Sequence, residues 1–214
     1  MDARSIADAL IVAERERKAI TPFTDAAPAL DAETAYRAQR MMVQHRLDAG
    51  ERIIGAKLGL TSRAKQEAMG VREPLYGWLT SGMVLPYGEP LPLAEFIHPR
   101  VEPEIAFLIG RELEPPVTGI DLRLVGVLVT RNGAVIDTGA GAAALGNPAR
   151  CVAWLANKLG AFGDCLHPGD IVLPGAVHRM VPVRPGDAFR AEFAHLGAVT
   201  ARFSNGASNG GGSA

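Results

Sequence analysis

The chain has 214 residues, 48% of them hydrophobic and 21% charged, which suits one generous domain, or a main domain with a small helical appendage. Its 22 basic and 23 acidic side chains leave a formal charge of -1, and only 6% of its residues are aromatic, so nucleic-acid and anionic-membrane partners are disfavoured. Cys151 and Cys165 are too few for a disulfide framework, the amino terminus lacks the apolar region of a signal peptide, and no run is long enough to span a bilayer, so a cytoplasmic protein with reduced thiols is expected.

Along the chain, residues 1–50 read as helical. Ile6, Ala9, Leu10 and Val12 recur at helical spacing within 3–19, and Thr21-Pro22 breaks the pattern. A second helix is predicted over 31–49, with Asp31 as N-cap, Glu33 in the first turn and Gly50 closing it. From residue 52 the texture changes to short apolar runs punctuated by Gly and Pro, and residues 51–203 read as a β-rich domain. The strand-like runs are RIIGAKLGL, GMVLP, RVEPEIAFLIG, LRLVGVLVTRNGAVIDTG, DIVLPGAV and FRAEFAHLGAVTARF. Asn132-Gly133 predicts a tight hairpin turn. One helix, over 148–159, interrupts the strands and carries Val152, Leu155, Ala156 and Leu159 on one face, with Trp154 packing on the core. Residues 204–214 have the composition of a disordered tail. The fold class is α+β, with helices followed by a mixed, mostly antiparallel β body.

Three stretches carry candidate chemistry. In Val101-Glu102-Pro103-Glu104-Ile105, read as a strand, Glu102 and Glu104 project from one face, where two carboxylates repel unless a cation joins them. Oxygen ligands select magnesium, manganese or calcium. A solvated face with two ordinary glutamates is an equal reading of the spacing. In Gly55 to Ser62, Lys57 must either reach water or meet an anion, and Thr61 and Ser62 add donors suited to a carboxylate. A strand lysine leading into a helix capped by Thr61 or Ser62 explains the same residues. Gly175-Ala176, after the DIVLP run, reads either as backbone approaching a ligand or as a plain turn. His98 precedes the acidic pair, while His45, His167, His178 and His195 show no ligand spacing. Nucleophile elbow, phosphate loop and dinucleotide fingerprint are all lacking.

Taken in order, GAKLGLTSRAKQEAMGVREPLYGWL, FIHPRVEPEIAFLIGREL, LRLVGVLVTRNGAVIDTGAGAAALGNPARCVAWLANKLG and GDIVLPGAV resemble the fumarylacetoacetate hydrolase-like superfamily. Within it they resemble the branch of 2-keto-4-pentenoate hydratase and 4-oxalocrotonate decarboxylase. The resemblance implies a helical part packed on a β-roll, a magnesium or manganese ion, and small unsaturated 2-oxo acid substrates from aromatic-compound breakdown. It also implies a homo-oligomer and association between hydratase and decarboxylase. Position by position, it assigns the metal pair to Glu102 and Glu104 and the catalytic lysine to Lys57. It assigns substrate contacts to Gly59, Leu60, Thr61 and Ser62 and to Gly175 and Ala176. Lys57 is therefore expected to matter for chemistry more than for stability.

The chain departs from the family between Leu113 and Leu122. There the family holds a few dozen residues, a third acidic metal ligand among them, and this chain has only EPPVTGID. Glu112, Glu114 and Asp121 lie nearby without the family's context. The FIHPR context before the acidic pair favours a decarboxylase, with a hydratase or a catalytically silent partner subunit as alternatives.

Overall fold

The computed structural model describes residues 1–110 and 121–206. Helix α1 (Ala3–Glu16) begins at Asp2, whose carboxylate accepts the Ser5 amide, and α2 (Phe23–Ala26) fills the break after Pro22. Helix α3 (Ala32–Asp48) is capped by Asp31, which accepts the Thr34 amide as its position predicts. Helices α1 and α3 meet through Ala3, Ile6, Ala7 and Ala38, with Leu10, Met41 and Met42 packed around them. Val12 is exposed, because it lies off the stripe that runs through these small residues. No helix of the described residues is long and apolar enough to cross a membrane.

The body that follows contains β1 (Ile53–Gly59), α4 (Arg63–Ala68), β2 (Leu75–Thr80), β3 (Pro90–Pro92), β4 (Arg100–Val101), β5 (Phe107–Leu108), β6 (Gly126–Arg131) and β7 (Ala134–Ala140). It closes with α5 (Pro148–Gly160), β8 (Ile171–Leu173), β9 (Val181–Pro182), β10 (Ala188–Phe193) and β11 (Gly197–Ser204). These strands form sheets of order β2-β1-β8-β5 and β3-β11-β10-β6-β7, and a small pair β4-β9. The sheets are mixed. Strands β1 and β8, and β11 and β3, run parallel, while the other described pairs run antiparallel.

The β6–β7 hairpin turns at Asn132 and Gly133 with φ of 53° and 83°, the left-handed conformation that asparagine tolerates and glycine, lacking a Cβ, adopts freely. Two of the strand expectations need correction. Residues 82–86 supply only the end of a 3-10 turn, with Met83, Val84 and Leu85 exposed. The run 100–110 is a strand only at its two ends, so Glu102 and Glu104 lie in an extended connection and not on a strand. Pro103 between them has no N–H to give to a ladder.

Helix α5 covers the four-stranded sheet. Cys151, Leu155 and Leu159 bury into a core with Ala56, Leu58, Tyr76, Ala144 and Val172, and Val152 and Trp154 pack at its margin. Ala156, expected on this face, is exposed, and Cys151 takes the inward position one turn earlier. A second core of Ile105, Val125, Val127, Val129, Val177, Ala191 and Phe193 lies on the inner face of the five-stranded sheet. Ile105 therefore anchors the connection that carries the two glutamates. The C-terminal residues 207–214, within the expected tail, and the segment 111–120, with Glu112 and Glu114, lie outside the described residues.

Burial, with the Glu104 charge adding to it, pushes the Cys151 thiol up to about 11. The thiolate is the nucleophile, so the raised pKa and full burial both keep Cys151 unreactive in the native protein. Cys165 is exposed. A disulfide-forming thiol reagent at pH 8 is expected to modify one cysteine promptly in the native protein and the second only after denaturant is added. Two fast thiols in the native state would contradict this core.

Candidate active site

Strand β1 carries Lys57 between β2, where it faces Gly77, and β8, where it faces Leu173. Because β1 and β8 run parallel, the segments that leave them emerge on the same side. After β1 the chain passes through Leu60, at φ 54°, and buried Thr61 to Ser62. After β8 it passes through Pro174 and Gly175, at φ 116°. A Cβ on Gly175 would stand 2.0 Å from Thr61 Oγ1, so only glycine allows the two segments to touch. Gly55 does the same lower in the sheet, where a Cβ would meet the Ile171 carbonyl oxygen at 1.8 Å.

The acidic connection arrives from the far side of β8. Pairing of Phe107 with Val172, and the Val177 amide donated to the Pro103 carbonyl at 3.4 Å, hold it against that strand. Glu104 is 3% exposed, Glu102 21% and Lys57 37%. Lys57 Nζ donates to Glu104 Oε1 and lies 3.2 Å from Glu102 Oε2. The Gly175 amide donates to Glu104 Oε2 at 2.8 Å, and Lys65 Nζ lies 3.6 Å from Glu102 Oε1. Burial raises the Glu104 carboxyl above its ordinary range, more than Lys57 and the Gly175 amide lower it. Burial alone would depress Lys57, but Glu104 and Glu102 together hold it above an ordinary lysine.

Lys57, Glu102, Glu104, Thr61 and Gly175, from stretches far apart in sequence, thus stand together. Other expected substrate contacts already have structural partners. The Ser62 hydroxyl accepts the Lys65 amide as the cap of α4, the Leu60 carbonyl accepts Gln66 Nε2 at 2.7 Å, and the Thr61 carbonyl accepts the Leu145 amide at 2.9 Å. The Gly175 amide serves Glu104. Gly59 has open space where a Cβ would stand, and Ala176 is half-buried. His98 is exposed. Asp121 pairs with Arg123 at the surface.

Two residues near this constellation carried no sequence signal of their own. Lys65 is brought to Glu102 by the first turn of α4, and only the Ser62 cap hinted at that helix. The His178 side chain is wholly buried, both ring nitrogens lack a hydrogen-bond partner among the described residues, and Nδ1 lies 3.8 Å from Asp137 Oδ2. Burial lowers its pKa, disfavouring the charged imidazolium.

The donor chemistry suits a hard divalent cation in kind, with oxygen ligands from two carboxylates. Magnesium is commonly held by one or two carboxylates, with water and substrate completing its shell. The described residues contain no group of three Asp, Glu, His or Cys able to hold a metal. A cavity of about 420 Å³ lies elsewhere, among Leu10, Met42, Trp78 and Met83. It is almost wholly apolar, and the convergent polar groups mark the acidic cluster as the candidate site.

Residues 114–204 match the family described as fumarylacetoacetate (FAA) hydrolase C-terminal. A 2-keto-4-pentenoate hydratase from Paraburkholderia xenovorans is 32% identical, over 95% of this chain and 96% of that protein. Its alignment runs to 257 positions, more than the 214 residues present here, so dozens of its positions have no counterpart in this chain. The 4-oxalocrotonate decarboxylase from Pseudomonas putida G7 has been solved with calcium and acetate and with magnesium and adipate. It superimposes with TM-scores of 0.87 and 0.85 at 30% identity, over 94% of this chain and 96% and 97% of that one. This chain belongs to the fumarylacetoacetate hydrolase-like superfamily, in the branch of 2-keto-4-pentenoate hydratase and 4-oxalocrotonate decarboxylase.

Lys57 is therefore tied to stability as well as to any chemistry. Lys57→Met leaves the Glu104 carboxylate buried with one amide partner. The expected cost is about 2 kcal/mol, below that of breaking a fully buried pair because the ammonium keeps partial contact with water. Chemical denaturation of both proteins measures it. Equal stabilities would mean that Glu104 does not depend on the ammonium.

Proposed function

We propose that this member of the branch is a lyase for small unsaturated 2-oxo acids in aromatic-compound catabolism, and specifically a 4-oxalocrotonate (2-oxo-3-hexenedioate) decarboxylase. The observation that carries this reading is the convergence of Lys57, Glu102 and Glu104 on one point beside the turn at Gly175. Glu102 and Glu104 would hold magnesium or manganese, as hard oxygen ligands suit either ion. When bound, the ion supplies Lewis-acid character, drawing electron density toward the 2-oxo oxygen of the substrate.

The chain's own groups do the rest. An ammonium has three N–H donors. Two of Lys57's face Glu104 and Glu102, and the third, with no partner among the described residues, would meet the substrate. In the decarboxylation, the bond between carbons 5 and 6 breaks and carbon dioxide leaves. The electron pair moves through carbons 4 and 3 to the 2-oxo oxygen, and a proton taken up there gives the 2-hydroxy-2,4-dienoate. Lys57 stabilises the charge arriving at that end of the molecule and can hand over the proton. Glu104, fixed by the Gly175 amide, holds Lys57 in place.

Two other readings have an observation behind each. The 32% identity to a 2-keto-4-pentenoate hydratase supports hydration, in which water adds across the distal double bond. The limited acidic set supports a silent subunit that assembles with an active hydratase or decarboxylase; either way, assembly as a homo-oligomer is part of the proposal. The FIHPR context before Glu102 favours the decarboxylase.

Turnover by the purified chain separates the three. With magnesium or manganese present, it is expected to release carbon dioxide from 2-oxo-3-hexenedioate. Lys57→Met, assayed below its melting transition, should be slower by roughly 10²-fold or more. Hydration of 2-hydroxypenta-2,4-dienoate without carbon dioxide release would make it a hydratase. No turnover of either acid would make it the silent subunit.

A further inference from the structure

The acidic pair is electrically balanced before anything binds. Glu102 and Glu104 contribute two negative charges, and Lys57 and Lys65 contribute two positive ones. Lys57 lies against both carboxylates and Lys65 against Glu102 alone. A divalent cation arriving alone would leave this cluster with two uncancelled positive charges. Part of the cluster is almost sealed from water, with Glu104 at 3% exposure, so screening there is weak. The cation would also have to share Glu104 with an ammonium that already donates to it. A dicarboxylate arriving alone meets the opposite problem, since the two ammonium groups are already engaged by glutamates. Arriving together, dication and dianion restore the balance.

We propose that this site takes up a divalent cation and a dianionic 2-oxo acid as a coupled pair and holds either one weakly alone, with Lys57 and Lys65 setting the coupling. The proposal rests on Glu102 and Glu104 being the cation's ligands. It also narrows the substrate class. A 2-oxo acid with one carboxylate leaves a positive charge uncancelled, so the balance selects acids carrying a second carboxylate. Coupling of this kind is reciprocal: whatever factor the acid adds to cation affinity, the cation adds to acid affinity.

Calorimetric titration of the full chain with magnesium chloride tests it, in buffer, in saturating 2-oxoadipate and in saturating 2-oxohexanoate. Both acids present the same 2-oxo acid head, and only the first has a distal carboxylate. The heat of mixing cation with acid is subtracted. Magnesium is expected to bind at least roughly tenfold more tightly with 2-oxoadipate than in buffer, within the usual range of coupling between sites, and to gain much less from 2-oxohexanoate. Lys65→Met removes an ammonium that is 42% exposed, so the fold should tolerate it. This variant is expected to bind magnesium alone several-fold more tightly than the parent and to gain less from 2-oxoadipate. Equal gains from the two acids, or a Lys65→Met protein that titrates like the parent, would overturn the coupling and leave the cation site standing. No magnesium binding under any condition in either protein would remove the cation site, and the proposal with it.

Discussion

A carboxylate taken out of water has to be met by a positive charge or by hydrogen bonds, or else it gives up its own charge. Glu104 is that carboxylate here. It is met by the Lys57 ammonium on one oxygen and by the Gly175 amide on the other. Most of what is distinctive about this site follows from that requirement. Lys57 must stand at a fixed height on β1, and Gly175 must turn its amide toward the same point. The connection carrying Glu104 must be pinned beside β8, which Ile105 does from within the core.

The parallel pairing of β1 with β8 makes these demands compatible. It brings the exits of both strands to one side and presses the turn at Gly175 onto Thr61, a contact that no side chain larger than hydrogen would permit. Helix α5 closes the other face of the sheet, with Cys151 near enough to Glu104 for its charge to raise the thiol further. The Ser62 cap starts α4 at once, and its first turn delivers Lys65 to Glu102. The two lysines thus come from elements joined by a tight bend, and the two glutamates from a single extended connection.

The caps and turns were legible in the sequence because each depends on neighbours in the chain. Asp31, Asn132-Gly133 and the 148–159 helix are local signals and appear where they are predicted. The candidate site was legible as three separate motifs. Their meeting depends on long-range strand order, which no periodicity encodes. The two glutamates were placed on a strand that Pro103 prevents, and the Gly175 amide, expected beside a substrate, meets Glu104 in this structure. Lys65 was invisible because its role comes from where α4 points. Lys57 was expected to meet an anion and to matter for chemistry more than for stability, since nothing in its own stretch reveals that the anion would be a buried carboxylate from residue 104.

Relatives of this branch set the family, and the alignment to one of them spans more positions than this chain has residues. With dozens of a relative's positions lacking counterparts here, the described residues offer two carboxylates and two ammonium groups. The site as a whole depends on the pairing of Lys57 with Glu104 being a real energetic link. A double-mutant cycle of Lys57→Met and Glu104→Gln, with stabilities from chemical denaturation, measures that link directly. A coupling of roughly 1–3 kcal/mol is expected, with the double variant more stable than the sum of the single losses implies. Losses that add to within about 0.5 kcal/mol would show the two residues to be independent and contradict it.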